Sequence, residues 1–260
     1  MNFFNNLSFS RLHFLALAYS LIPLALLIGP FASDLIIVLI CIVFLIELLV
    51  KKKFFYLNNF YFKLFILWWL YMLIRSLLSE NIMLSLESSL FYIRFGLLSL
   101  CCYYLICEFS NFVKYFIVLI TFAFGFLLFD SYFQIVFGKD LFGNIYNPNR
   151  LTALFGEERI LGSYLSRLFP LVFAFVFLLK NNKKRFLYIS IVFFVLTDIV
   201  VFLSGDRTSF FYLTLFSFII IFLINDYRII RIISFSLSII VIFMISNFNE
   251  NIKNRMFVQT

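Results

Sequence analysis

Charged residues are scarce in this sequence, and that scarcity is the first guide to the class of protein. Only 13% of the 260 residues are Asp, Glu, Lys or Arg, whereas 64% are hydrophobic and the mean hydropathy is +1.05. A soluble chain of this length cannot bury so much apolar surface. The composition therefore excludes an ordinary soluble domain and indicates an integral membrane protein.

The residues and motifs of soluble enzymes are also missing. The chain has a single histidine, His13, and it contains no GxxxxGK[ST], no HExxH and no GxSxG with triad partners. The four cysteines do not form a disulfide framework, because Cys41 lies in the middle of one apolar run and the other three lie in another, without metal ligands nearby. These absences exclude the common nucleotide-binding, metallopeptidase and serine-hydrolase sites.

Long apolar runs occupy most of the chain. A membrane core roughly 30 Å thick needs about 20 apolar residues per helix. We predict an all-α fold, a polytopic transmembrane helical bundle with about nine spans, as a single domain over residues 1–260. The runs lie at 12–30, 31–50, 60–78, 88–107, 112–137, 161–179, 186–204, 208–224 and 230–246. Gly29 and Pro30 separate the first two runs, which predicts a tight hairpin.

Basic residues are distributed unequally over the connections between these runs. The larger share, including Arg231, flanks the membrane on the N-terminal side, so the positive-inside rule predicts a cytoplasmic N-terminus and places residue 260 outside. The outer set is rich in arginine, whose planar guanidinium forks onto phosphate or carboxylate. We therefore expect the outer face to be the working face. Its basic residues are Lys139, Arg150, Arg159, Arg167, Arg207, Lys253 and Arg255.

The longest outer connection covers residues 138–160, GKDLFGNIYNPNRLTALFGEERI. Loops of this size are usually functional or disordered. Its apolar residues argue against disorder because they can bury themselves at the interface or against the bundle. We expect an ordered loop that caps a cavity. The apolar residues in question are Phe142, Tyr146, Leu151, Leu154 and Phe155.

A second outer feature is SGDRTSFF at 204–211, where Arg207 lies beside the N-terminus of a span. Free backbone N–H groups and the helix dipole attract an anion at such a position, and Arg207 adds a forked donor. The alternative interpretation is that Asp206 pairs with Arg207 in an interface turn. The sequence alone favours neither.

Charged residues within the spans are a third feature, because each costs about 2.5–3.5 kcal/mol unless it faces protein or water. Arg94, Asp130 and Asp198 lie deepest in their runs. Arg94 has two interpretations: it binds a lipid diphosphate, or it pairs with Asp130 or Asp198. Pairing is the favoured one.

Three blocks of sequence together resemble a known family. They are DSYFQIVFGKDLFGN at 130–144, NRLTALFGEERILGSYLSRLFPL at 149–171 and LSGDRTSFFYL at 203–213. In this order and spacing they resemble the O-antigen ligase and polymerase superfamily of bacterial envelope glycosyltransferases, whereas the flanking spans match only as apolar helices. The resemblance implies a multi-pass protein of the bacterial inner membrane that takes a glycan from undecaprenyl diphosphate at the periplasmic face. A ligase passes the glycan to the lipid A core, and a polymerase passes it to a growing glycan.

The resemblance also implies site residues. No metal and no other cofactor is expected, so arginines must neutralise the diphosphate leaving group. Arg207 is the first candidate, Arg150 and Arg159 follow, and Arg167 and Arg94 complete the set. Glu157 and Glu158 are expected to hold these arginines in place. The expected partners are the lipid bilayer, the lipid-linked glycan and its acceptor, and no nucleic acid.

One part of the family pattern is expected beyond the end of this sequence. The resemblance implies a large periplasmic loop that begins near residue 247 and carries a histidine acting as general base on the acceptor hydroxyl. We therefore expect this chain to be the N-terminal part of a longer protein, or a shortened product that is inactive by itself. A transporter of lipid or glycan is the alternative of another class, although the chain shows no internal repeat of the kind that transporters often have.

Overall fold

The protein is all-α in its computed structural model, as the apolar runs predict. The structure describes the backbone of residues 2–178, 184–225, 228–248 and 253–258, and these ranges contain ten α-helices. Each predicted run corresponds to a helix, except that the run at 88–107 starts earlier and is interrupted at Tyr92. The helices are α1 (Asn2–Ile28), α2 (Pro30–Lys51), α3 (Phe60–Leu77), α4 (Ile82–Phe91), α5 (Ile93–Glu108), α6 (Phe112–Phe137), α7 (Leu161–Leu178), α8 (Lys184–Leu203), α9 (Arg207–Leu223) and α10 (Arg228–Phe248).

Six helical segments are long and apolar enough to cross a membrane. Three further apolar helices, within α7, α8 and α9, are shorter, so the nine predicted spans comprise six of full length and three short ones among the described residues. The chain is therefore a multi-pass helical membrane protein. Its orientation stays a prediction, and residue 260 lies outside the described residues. The six segments are Arg11–Ile28, Pro30–Lys51, Phe60–Leu77, Ile82–Glu108, Phe112–Phe137 and Arg228–Asn247.

The chain divides into two compact units, residues 1–120 and residues 121–260, and the dividing point falls within α6. We call them unit 1 and unit 2. The description of residues 1–260 as a single domain stays a prediction.

Unit 1 begins with the predicted hairpin. α1 ends at Ile28 and α2 begins at Pro30, so Gly29 alone forms the turn, with a φ of +141° that glycine adopts easily. The core of this unit consists of residues from α1, α2 and α5 and the segments that follow α2 and α5. Its most buried members include Leu15, Ala16, Ile40, Phe44, Leu48, Cys101, Tyr104 and Leu105.

Arg94 belongs to unit 1, and its partner differs from the expected ones. Its Nη2 lies 3.0 Å from Asp34 Oδ1, across the contact between α5 and α2. The expectation that Arg94 pairs with Asp130 or Asp198 is therefore wrong. Asp34 lies just after the first turn of α2, where the sequence predicts a polar end of the hairpin rather than a counter-charge.

Unit 2 packs α7, α8, α9 and α10 around phenylalanine and aliphatic side chains. A charged pair is buried among them: the Arg231 guanidinium donates to both carboxylate oxygens of Asp198, at 2.9 and 3.0 Å. The prediction that Arg231 lies in a loop is therefore wrong, because its side chain is fully buried in the first turn of α10, whereas its side of the membrane stays a prediction. The buried apolar residues of this unit include Phe169, Phe173, Phe194, Val200, Phe202, Leu213 and Ile220.

Candidate anion-binding site

Two buried polar residues of α6 hold the loop 138–160 in place. Asp130 and Gln134 are one helical turn apart, and both are completely buried. Asp130 Oδ1 accepts a hydrogen bond from the Leu141 N–H at 3.0 Å, and Gln134 Oε1 accepts one from the Ala153 N–H at 2.8 Å. Gln134 Nε2 also donates to the Asn144 carbonyl at 3.3 Å. The polar groups of this otherwise apolar helix therefore satisfy the backbone of the loop.

The first part of the loop is a compact turn built around Asp140. Its carboxylate accepts from the Phe142 N–H at 3.0 Å, the Asn144 N–H at 2.7 Å and the Asn144 side-chain amide at 2.7 Å. Gly138 and Gly143 have φ angles of +74° and +92°, which a residue with a Cβ rarely adopts. Asp140 is 3% exposed, so this turn is internally satisfied and fixes the position of Asn144.

The middle of the loop is a second turn, over residues 147–150. The Arg150 N–H donates to the Asn147 carbonyl at 2.9 Å, and the Asn147 side chain accepts from the Asn149 N–H at 2.9 Å. Arg150 Nε then donates to the Ser204 carbonyl at 2.9 Å, in the connection between α8 and α9. This hydrogen bond of Arg150 attaches the loop to that connection.

Asp206 follows in the same connection and forms no pair with Arg207. Its carboxylate accepts hydrogen bonds from the hydroxyls of Thr208 (2.7 Å), Ser163 (3.3 Å) and Ser209. Burial opposes ionisation, but these hydrogen bonds outweigh it, so the pKa of Asp206 lies below its usual value. The interpretation of an Asp206–Arg207 ion pair is therefore wrong.

Arg207 instead holds the segment that follows α10. Its Nε and Nη2 both donate to the backbone carbonyl of Arg255, the former at 3.0 Å. Arg255 returns a hydrogen bond from its own Nε to the Gly205 carbonyl at 3.1 Å. These contacts attach a short helical turn, Asn254–Val258, to the connection between α8 and α9.

Beside these contacts lies an open cavity of about 790 Å³, which we call the arginine cavity. Arg150, Arg159 and Arg255 line it, and Glu157 brings a carboxylate to its wall. Among the described residues, no carboxylate oxygen lies within 4.0 Å of any of these three guanidinium groups. The other lining residues are Gly143, Asn144, Ile145, Asn147, Asn149, Thr152 and Gly156.

The electrostatics of the arginine cavity favour an anion. Burial lowers the pKa of Arg150, and the positive charges of Arg255 and Arg159 lower it further, whereas Asp206 opposes that effect. Arg255 and Arg159 therefore both repel the positive charge of Arg150. An anion with two or more charges relieves this repulsion, and each guanidinium offers it forked hydrogen bonds.

The structure brings together only some of the predicted site residues. Arg150 and Arg159 line the cavity, whereas Arg207 stands behind it and holds Arg255. Arg167 is exposed on α7 and does not line the cavity, and Arg94 is paired within unit 1. Glu157 and Glu158 form no ion pair with the arginines within the described residues, so the expectation that they hold the arginines in place is wrong.

Sequence reasoning overlooked Arg255 and the three asparagines of the cavity. Arg255 lies in the segment after the last apolar run, 48 residues beyond its contact Arg207. The available signal was its place on the predicted outer face together with Arg150 and Arg159. The asparagines were overlooked because amides in a loop usually satisfy turns, as Asn147 does here.

Comparison with known proteins gives no match: no family model, no curated protein and no solved structure is similar to this chain. The resemblance to O-antigen ligases therefore stays a prediction. Within the described residues, no group of three or more His, Cys, Asp or Glu side chains is arranged to hold a metal ion.

Proposed function

We propose that this chain is the donor-binding part of a membrane glycosyltransferase of the O-antigen ligase type. Its donor is a glycan linked to undecaprenyl diphosphate, and the transfer takes place at the periplasmic face of the bacterial inner membrane. The lipid A core is the acceptor, and a polymerase with the same donor and a growing glycan as acceptor is the alternative.

The observation that carries the proposal is the set of three arginines without carboxylate partners, at one end of an apolar helical unit. The positive charges of Arg255 and Arg159 disfavour the charge of Arg150, so a bound anion at this place is favoured. A lipid-linked diphosphate fits the setting because its isoprenoid chain stays in the bilayer beside the helices while its charged group enters the cavity.

The construction of the cavity supports the same proposal. The first two blocks that resemble the family are almost continuous and the third follows only near the end of α8, yet each contributes to this one place. The first supplies Asp130 and Gln134, which anchor the loop, and the second supplies Arg150 and Arg159. The third supplies the connection that Arg150 and Arg255 contact.

The amide side of the cavity suits a carbohydrate. Asn144, Asn147, Asn149 and Thr152 line the cavity; Asn144 Nδ2 and Asn147 Oδ1 already serve turns of the loop, so the other polar atoms of these side chains are the ones proposed to meet a sugar. Such groups both donate and accept, as the hydroxyls of a sugar require. The cavity therefore offers cations for a diphosphate and amides for the adjoining sugar.

The chemistry required of these residues is leaving-group stabilisation. The acceptor hydroxyl oxygen attacks the anomeric carbon, the bond from that carbon to the diphosphate oxygen breaks, and its electron pair leaves with undecaprenyl diphosphate. Fixed guanidinium groups stabilise the negative charge that develops there. The proton of the acceptor hydroxyl passes to a general base, for which the resemblance implies a histidine beyond residue 260.

The experiment is donor binding in lipid nanodiscs, with undecaprenyl diphosphate compared with undecaprenol. We expect Arg150→Gln/Arg159→Gln to weaken diphosphate binding by 10-fold or more, since a hydrogen bond to a charged group contributes about 1.5–3 kcal/mol. Arg167→Gln is the matched control and should bind as the unaltered protein does. Equal binding by the double variant and the control would overturn the proposal.

An assay of transfer to each acceptor separates the alternatives. Transfer of a glycan to the lipid A core identifies a ligase, and lengthened lipid-linked glycan identifies a polymerase. Movement of the lipid-linked glycan across vesicles without a new glycosidic bond identifies a transporter and overturns the enzyme proposal.

A further inference from the structure

We infer that Arg255, on the segment after α10, is the third cation that contacts the bound diphosphate, and that Arg207 is its positioning residue and makes no contact itself. This inference rests on the proposed binding of a diphosphate in the arginine cavity. The resemblance makes Arg207 the first candidate for a diphosphate contact, whereas this inference makes Arg255 the contact and Arg207 the residue that positions it.

The guanidinium of Arg207 already donates its paired hydrogen bonds to protein. Two of its nitrogens converge on one acceptor, the carbonyl of Arg255. A guanidinium in this geometry fixes a backbone position much as a helix cap does. Arg207 is exposed and is not among the residues that line the cavity, whereas Arg255 is.

Only one edge of the Arg255 guanidinium is bound to protein. Its Nε donates to the Gly205 carbonyl, and no described residue accepts from its two terminal nitrogens. A Cβ on Gly205 would overlap the Arg255 side chain, so the side chain lies directly against the connection between α8 and α9. The terminal nitrogens of a guanidinium held along one edge are free to fork onto an anion.

Both the backbone and the side chain of Arg255 are held by hydrogen bonds. Arg207 holds the backbone of Arg255, and Gly205 accepts from its side chain, so both contacts come from one short connection. Because this connection also accepts from Arg150 Nε through Ser204, two of the cavity's three cations are attached to it. The distance between these two cations is therefore set by the connection, and Arg207 contributes by keeping Arg255 in register.

Positioning and direct contact predict different behaviour for a conservative variant. An ammonium carries the same charge as a guanidinium but cannot fork onto one carbonyl. If Arg207 positions Arg255, Arg207→Lys weakens the binding of inorganic diphosphate nearly as much as Arg207→Gln does. If Arg207 contacts the anion, the lysine variant retains most of the affinity.

A double-variant cycle tests the dependence directly, with calorimetric titration of inorganic diphosphate into the purified full chain. We expect the double variant Arg207→Gln/Arg255→Gln to bind no more weakly than Arg255→Gln alone, because Arg207 acts only through Arg255. Losses that multiply would identify an independent contact and overturn the inference.

Limited trypsin digestion supplies a readout that a direct ligand contact would not move. The peptide bond after Arg255 contains the carbonyl that Arg207 holds, so Arg207→Gln should speed cleavage at this bond several-fold in the ligand-free protein. Arg167→Gln should leave the rate unchanged. An unchanged rate in Arg207→Gln overturns the positioning role even if diphosphate still binds. Undiminished binding by Arg150→Gln/Arg159→Gln instead overturns the proposed function.

Discussion

Unit 2 contains arginines in two contrasting settings. Arg231 is completely buried, forks onto Asp198, receives further support from Ser217 and lies over the Phe169 ring at 4.8 Å. Arg150 and Arg159, in contrast, line a cavity and have no carboxylate partner within the described residues. The first setting joins helices, and the second is the proposed anion site.

These arginines carry the same charge, so their roles differ because Arg231 has a carboxylate partner and Arg150 and Arg159 do not. A guanidinium among apolar helices is stable only when a counter-charge and hydrogen bonds compensate the loss of hydration. Asp198 provides that counter-charge, and Ser238 donates to it at 2.7 Å. At the arginine cavity no described carboxylate lies within 4.0 Å of a guanidinium, and Arg159 is exposed to solvent, so we propose that a bound anion supplies the partner there.

The largest expected effect comes from breaking the buried pair. Asp198→Asn leaves Arg231 charged and without a counter-charge, which we expect to lower the free energy of unfolding by about 3–5 kcal/mol. Thermal unfolding in detergent, followed by circular dichroism, measures it. Arg228→Gln, an exposed arginine one helical turn before Arg231, is the control and should be nearly neutral.

A double variant that removes both charges of the buried pair tests the same explanation. Asp198→Leu/Arg231→Met replaces the ion pair by apolar side chains and should recover most of the lost stability, because the penalty arises from an unpaired charge. A pair variant as unstable as Asp198→Asn would show that the network has another structural role.

The next largest effect concerns the loop anchor in α6. Asp130→Ala removes the acceptor of the Leu141 N–H and should cost about 1–3 kcal/mol, while Asp130→Asn keeps a carbonyl oxygen there and should cost less. Proteolysis within residues 138–160 should accelerate in the alanine variant first. Equal rates for both variants would mean that Asp130 does not hold the loop.

A smaller effect is expected at Asp206, where pH supplies the test. Its pKa is lowered in the folded protein, so it stabilises the fold above about pH 4, the usual pKa of an unfolded Asp, and this contribution is lost as pH falls through the folded pKa. Asp206→Asn should therefore unfold more readily than the unaltered protein at pH 7, and the two should converge in acid. A difference that persists at low pH would contradict this account.

The smallest effect on the free energy of unfolding is expected when an arginine of the cavity is replaced in the ligand-free protein. Arg159→Gln relieves the repulsion on Arg150 and should leave the free energy of unfolding within about 0.5 kcal/mol of the original, or raise it slightly. The same substitution at Arg231 should be severe. Comparable losses at the two positions would abolish the distinction between paired and unpaired arginines.

The helices were predictable from the sequence because apolar runs in a membrane chain have few alternatives. The short turn after Ile28 followed from Gly29 and Pro30, and the structured loop at 138–160 followed from its apolar content. The break at Tyr92 was not predictable, since no proline or glycine marks it.

Pairings between distant residues could not be predicted in the same way. Arg231 stands near the start of its run, as a charge that flanks a membrane would, and only the packing of α8 against α10 places it beside Asp198. Arg207 was predicted as a ligand contact because its helix N-terminus suits an anion. The carbonyl that occupies its fork comes from Arg255, which no local pattern connects to it.

Titration of inorganic diphosphate into the purified protein tests whether the arginine cavity is an anion site, with Arg150→Gln/Arg159→Gln and Arg228→Gln titrated alongside. We expect binding that weakens with added salt, is lost in the double variant and persists in Arg228→Gln. Diphosphate binding that is equally strong in all three proteins would contradict the claim that the unpaired arginines of the cavity form an anion site.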